Sequence, residues 1–128
     1  MTLELFNSNL NLIANMCSSN ISSVFLVLQC TNLIEVITRS AAHKVCSSKL
    51  LSTLVFLGSV LCYYRRELGL TRIDQVRLCQ SIGKPGLLSL QDRVVSDACW
   101  LFAYVLDCED DSLIEEICQG NIVQLIVA

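Results

Sequence analysis

Shifted by 89 positions, the first third of the chain lies on the last third without a gap: Leu12 on Leu101, Ile13 on Phe102, Ala14 on Ala103, Leu28 on Ile117, Leu33 on Ile122 and Ile37 on Ile126. The middle third fits at half that shift, which sets Phe56 and Val60 over Trp100 and Tyr104. Asn11 and Asn15 take the same two places in the first unit. A chain that repeats itself every ~44 residues cannot bury each unit's apolar face within that unit, so each unit must stack on the next. The fold is thereby narrowed to an array of similar units.

Each unit is helical. Apolar residues recur at three- and four-residue steps, and no alternating run is bounded by hairpin turns, so the chain is all-α. The pattern predicts helices over 5–17, 22–30, 33–39, 43–64, 73–80, 87–90, 94–107 and 112–118, and the start of one over 122–127. Thr71 and Asp74 have the spacing of a capping box, and so do Ser112 and Glu115; Gly120 suits a left-handed cap. Pro85, the only proline, stands between Gly83 and Gly86 and predicts a break. Arg65 to Leu70 reads as a polar connection. The run 49–64 is too short for the roughly 20 residues a membrane span needs, and it is interrupted by Ser52, Thr53 and Ser59. A helix apolar all round is one buried between neighbours.

With 53% hydrophobic residues, the chain has ample material for a core. The formal net charge of -3 supplies no basic stripe for nucleic-acid phosphates and favours basic or neutral partners. The eight cysteines stand singly among apolar residues and read as reduced core residues. No Cys-x-x-Cys occurs, which argues against structural zinc, and no cofactor is implied. The first residues lack a basic region followed by an apolar run, so the expected compartments are cytoplasm and nucleus.

The stretch 94–107 is the most informative. Val94, Val95, Ala98, Leu101, Phe102, Val105 and Leu106 form a stripe that needs a packed partner. Trp100 and Tyr104 lie four apart on a second face, with Asp97 one turn before and Asp107 one turn after. From spacing alone, aromatic rings in a helix read first as core. The acid, ring, ring, acid order also suits a grip on a cationic side chain, its stem between ring faces and its charge met by carboxylates.

The ~44-residue period falls in the range of armadillo and HEAT arrays. Ser96-Asp97-Ala98-Cys99-Trp100-Leu101-Phe102-Ala103-Tyr104-Val105-Leu106-Asp107 resembles the long third helix of an armadillo repeat of the importin alpha family, in which one central repeat has Trp followed four later by Tyr. Gly120-Asn121-Ile122 is similar to the family's turn between first and second helices, and Tyr63 to Leu70 sits where a repeat of the family carries an extended loop. The resemblance implies an armadillo-repeat right-handed superhelical solenoid of about two and a half repeats. In one array spanning 1–128, the repeats would be 1–42 (partial), 43–90 and 91–128 (truncated). It further implies a concave groove that binds an extended basic, nuclear-localisation-signal-like peptide. Asp97, Trp100, Tyr104 and Asp107 match groove positions of the family, and Asn15 matches an Asn that clamps the peptide backbone. Phe56 and Asn11 stand where the family has Trp, Val60 where it has Asn, and Ser19 where it has an acid. These departures imply weakened binding.

The expected partner is therefore a basic cargo peptide or protein, with no nucleic acid and no membrane. Importin beta would engage regions absent from the chain, and the apolar ends would be open to self-association. An armadillo scaffold without nuclear-signal binding is the alternative. Catalysis is not expected: His43 beside Lys44 reads as a surface residue, and neither a phosphate-cradling loop nor a paired catalytic motif is present.

Overall fold

The computed structural model describes residues 33–42 and 48–119, together with Leu12 and Asn15. Leu12 and Asn15 are helical. The rest of the helices expected over 5–17 and 22–30, and the one over 122–127, lie outside the described residues. Every regular element among those described is a helix: α1 (Leu33–Ala42), α2 (Ser48–Tyr63), α3 (Arg65–Leu68), α4 (Arg72–Leu78), a π-helical stretch (Cys79–Gly83), α5 (Lys84–Leu87), α6 (Asp92–Leu106) and α7 (Asp111–Ile117). The all-α expectation holds. None of these helices is long and apolar enough to cross a membrane.

Helices α2 and α6 start 44 positions apart and form the largest helix–helix interface. Hydrogen bonds between other elements join residues at similar separations. Arg72 Nη2 donates to Glu116 Oε2 at 2.8 Å across 44 positions. Arg65 Nη2 donates to the Asp107 carbonyl at 2.9 Å across 42, and Arg77 Nη2 to Thr38 Oγ1 at 3.0 Å across 39. Elements about 44 positions apart thus lie side by side among the described residues.

The core explains why α2 reads as apolar all round. Leu50, Leu54, Val55, Leu57, Leu61 and Cys62 are buried, and so are Thr53 and Ser59. Their hydroxyls are satisfied within the helix: Thr53 Oγ1 donates to the Lys49 carbonyl and Ser59 Oγ to that of Phe56. From α6, Val94, Ala98, Leu101, Phe102 and Val105 complete the core, whereas Val95 and Leu106 are half-buried. Five of the seven expected stripe residues thus point fully inward.

The expected break at Gly83-Lys84-Pro85-Gly86 does not form, and no separate helix covers 87–90. Helical geometry continues from Arg72 to Leu87, with Cys79, Gly83 and Lys84 all in the right-handed region. Proline lacks an N–H and its ring crowds the carbonyl four residues earlier. The π-helical stretch widens the turn just before Pro85, and the Lys84 N–H reaches back to the Cys79 carbonyl. Pro85 then sits at the start of α5, where a missing donor is tolerated.

The flanking glycines serve contact rather than a turn. A Cβ at Gly86 would lie 2.9 Å from Ala98 Cβ and 3.1 Å from Val55 Cγ2, so α5 touches both long helices through bare backbone. Ala98 Cβ cannot rotate away. Gly86→Ala is therefore expected to lower stability by about 1–3 kcal/mol, read by urea denaturation, despite alanine's better helix propensity.

Two further expectations are revised. Arg65 to Leu70, expected as a polar connection, has Arg66, Glu67 and Gly69 exposed but holds one helical turn, α3, closed by Gly69 at φ 66, with Leu70 N–H bonded back to the Arg65 carbonyl. Arg65 itself is buried. The helix expected to open at Ser112 is capped instead by Asp110, whose Oδ1 accepts from Leu113 N–H at 3.1 Å. Aspartate caps as well as serine, and here it stands one position ahead of the first helical residue. The capping box at Thr71 and Asp74 forms as expected, Thr71 Oγ1 accepting from Asp74 N–H at 3.1 Å.

Candidate functional site

The face of α6 flanking its core stripe carries Asp97, Trp100 and Tyr104. The adjacent face of α2 carries Phe56, Ser59, Val60 and Tyr63, followed by Tyr64. Together these eight residues line an open groove of about 400 Å³. Trp100 is 56% exposed and Tyr63 57%, so the rings are walls of a surface depression. Reading the aromatic spacing as core does not hold for Trp100.

The rings contact one another in a defined geometry. Trp100 stacks on Tyr104, centroids 5.7 Å apart and planes at 25°. Tyr63 meets Tyr104 edge-on at 5.3 Å and 73°, and Tyr64 meets Tyr63 at 4.8 Å and 84°. Such pairs hold each other's orientation. Partial burial pushes the Asp97 carboxyl above its ordinary value, with Arg93 opposing the shift. Burial likewise raises the Tyr104 phenol, aided by Tyr63 and the negative charge of Asp97. Asp97 therefore stands close enough to the aromatic wall to be felt by it.

Of the six residues expected to bind peptide, four are brought together: Phe56, Asp97, Trp100 and Tyr104. Asp107 is not. As the residue that ends α6, it lies in a neighbouring depression with Arg65, Arg66 and Arg72. Its carboxylate stands 3.7 Å from Arg65 and 4.0 Å from Arg66, and its carbonyl accepts from both guanidinium groups. Its engagement by Arg65 and Arg66 takes the expected last rung of the ladder out of the groove. Asn15 is an exposed helical residue and does not line the groove.

Tyr63 and Tyr64 were not among the residues expected in the site, although both fall within the helix expected over 43–64. The signal was nevertheless present: Phe56, Val60 and Tyr63 follow the 0, 4, 7 spacing of one helical face, and Tyr64 follows Val60 by four.

The described cysteines Cys62, Cys79, Cys99, Cys108 and Cys118 are free thiols. Burial pushes the Cys62 thiol up to about 12, with Arg65 opposing, and raises Cys79 as well, so neither is a nucleophile at neutral pH. Among the described residues, no group of His, Cys, Asp and Glu could hold a metal ion. Compared with protein-family models, with curated proteins and with solved structures, the chain matches none.

Proposed function

We propose that the chain is an armadillo-type, importin-alpha-like adaptor that binds an extended basic peptide across the α2–α6 groove. The observation that carries this reading is Trp100, half-exposed, stacked on Tyr104 and placed beside the one carboxylate lining the groove, that of Asp97. A lysine or arginine stem lies along the ring faces while its charge meets the carboxylate. The 44-residue offset of α2 and α6 supports an armadillo-like array, in which such grooves recur unit by unit. The proposed setting is transport between cytoplasm and nucleus, with basic cargo as partner.

One observation favours a second reading, a scaffold that does not bind nuclear signals. Arg65 and Arg66 engage Asp107, leaving the groove a single acid where the ladder would have had two. Fluorescence anisotropy of a labelled Lys/Arg-rich peptide separates the two. The adaptor reading predicts saturable, salt-sensitive binding, weakened about tenfold by Trp100→Ala and abolished when the peptide's basic residues become alanine. Equal binding of the basic and alanine peptides leaves the scaffold.

The raised carboxyl of Asp97 gives the groove a pH signature with opposite signs for binding and folding. Protonation removes the charge that faces the cation, so peptide affinity falls on acidification, beginning above the ordinary carboxylate range. Because the folded-state value lies above the unfolded one, the contribution of Asp97 to stability is fully present below the unfolded value. It is lost as pH rises through the folded one. Acidification thus weakens binding while this group stabilises the empty fold. Asp97→Asn is expected to remove both dependences, seen in peptide Kd and in the wild-type minus variant unfolding free energy between pH 7 and 4.

A further inference from the structure

A cation held at Trp100, Tyr104 and Asp97 leaves the α2 side of the groove, Phe56, Val60, Tyr63 and Tyr64, without an occupant. Asp97 is the only charged residue lining the groove. One basic side chain of a bound peptide can therefore meet a carboxylate there, and its neighbours along the peptide face uncharged rings.

These rings touch in series. Tyr64 meets Tyr63 at 4.8 Å, Tyr63 meets Tyr104 at 5.3 Å, and Tyr104 stacks on Trp100 at 5.7 Å. Neighbouring rings in contact leave no slot between them for a side chain, so they act as a continuous strip that is covered from outside. The helices that bear the strip have spent their backbone groups on internal hydrogen bonds, and it has no strand edge along which a peptide could pair. It does carry the Trp100 indole N–H and three tyrosyl hydroxyls, which can donate to peptide carbonyls. Aromatic-lined grooves of this description take polyproline II segments, whose proline rings are compact and apolar and whose carbonyls make no internal hydrogen bonds.

The spacing agrees. A polyproline II helix has three residues per turn and rises ~3.1 Å per residue, so residues three apart share a face and stand about 9 Å from each other. Trp100 and Tyr63, the two exposed rings of the strip, are joined through Tyr104 by steps of 5.7 and 5.3 Å, and one such turn fits within those two steps. Resting on the basic-peptide reading of this site, we infer that its occupant is a polyproline II segment, with a basic residue at Trp100 and Asp97 and a proline three positions along on Tyr63. Because such a segment is stiff before it binds, it loses less conformational freedom than an equally apolar flexible peptide.

The test is a titration of the full chain with short labelled peptides, followed by fluorescence anisotropy. One has a single lysine followed by three prolines, and a second has the reverse order, because polyproline II presents the same three-residue face in both chain directions. In their counterparts the prolines are replaced by leucine or by alanine, or the lysine by alanine. The expected result is that one proline peptide binds about fivefold tighter than its leucine and alanine counterparts and weakens when its lysine is replaced. In Tyr63→Ala the proline advantage disappears, and Tyr63→Leu, which keeps bulk without a ring, loses it as well; circular dichroism confirms that both variants are folded. Leucine or alanine peptides that bind as tightly as the proline peptides in both orders overturn this inference and leave the basic-peptide reading standing. Proline peptides that bind equally well without their lysine overturn both, and so does failure of every peptide to bind.

Discussion

Phe102→Ala is expected to lower the stability of the fold by about 3–5 kcal/mol, whereas Trp100→Ala, two positions away on the same helix, changes it by less than about 1 kcal/mol. Phe102 is 1% exposed. Its ring seats against the π-helical stretch so closely that a Cβ on Gly83 would lie 2.9 Å from its Cε2 and Cζ. Bare backbone on that side cannot follow a shrinking side chain, so truncation leaves much of the ring's volume as a cavity. Trp100 loses little on truncation because its indole covers the groove and not the core. Urea denaturation followed by circular dichroism gives both values on one scale. Comparable losses for the two variants would mean that Trp100 is structural, and the functional reading of its face would fall with that result.

Arg65→Met is expected to cost about 2–3 kcal/mol, against less than about 0.5 kcal/mol for Arg66→Met. The two arginines share Asp107 as partner but differ in surroundings. Arg65 is 10% exposed and also donates through Nη1 to the Cys62 carbonyl at 3.1 Å, tying the end of α2 to the end of α6. Its removal strands the Cys62 carbonyl in a buried setting, whereas the Asp107 carbonyl keeps Arg66 as a donor. Arg66, 71% exposed, makes a solvent-screened contact that water replaces. The cost therefore lies in the buried Cys62 carbonyl left without its side-chain donor, not in the ion pair, since the Asp107 carboxylate is itself exposed. Denaturation of the two variants at low and high salt distinguishes these origins: the Arg65 loss is expected to be largely salt-independent.

Both predictions concern residues whose place was only partly legible from the sequence. The inward stripe of α6 was readable because helical periodicity fixes which residues share a face, and Phe56 and Trp100, aligned by the 44-residue offset, line one groove. Pro85 misled because propensity is local: the break it forecasts was avoided by a wider turn upstream, whose use depends on Gly83 and Gly86 packing against Phe102, Ala98 and Val55. Asp107 misled for a related reason. Its spacing from Tyr104 assumes an unbroken helix, and Arg65 and Arg66, more than forty positions earlier, hold its carbonyl where the helix ends. Tyr63 and Tyr64 fall within the helix expected over 43–64 and continue the face of Phe56 and Val60, yet that face was followed only as far as Val60. Burial separated Trp100 from Phe102; both are large aromatic residues within one apolar helix, and the packing of the π-helical stretch over Phe102 is not legible from their spacing.

The central claim is that ring faces at Trp100 and Tyr104 receive the stem of a cationic side chain. Its most direct measurement is a proton NMR spectrum of a Lys-containing basic peptide bound to the full chain, filtered for contacts between peptide and protein. The account predicts upfield ring-current shifts of the lysine methylene protons and cross-peaks from them to the Trp100 indole, both lost in Trp100→Ala. Lysine methylenes that keep their free-peptide positions while the peptide is demonstrably bound would contradict it.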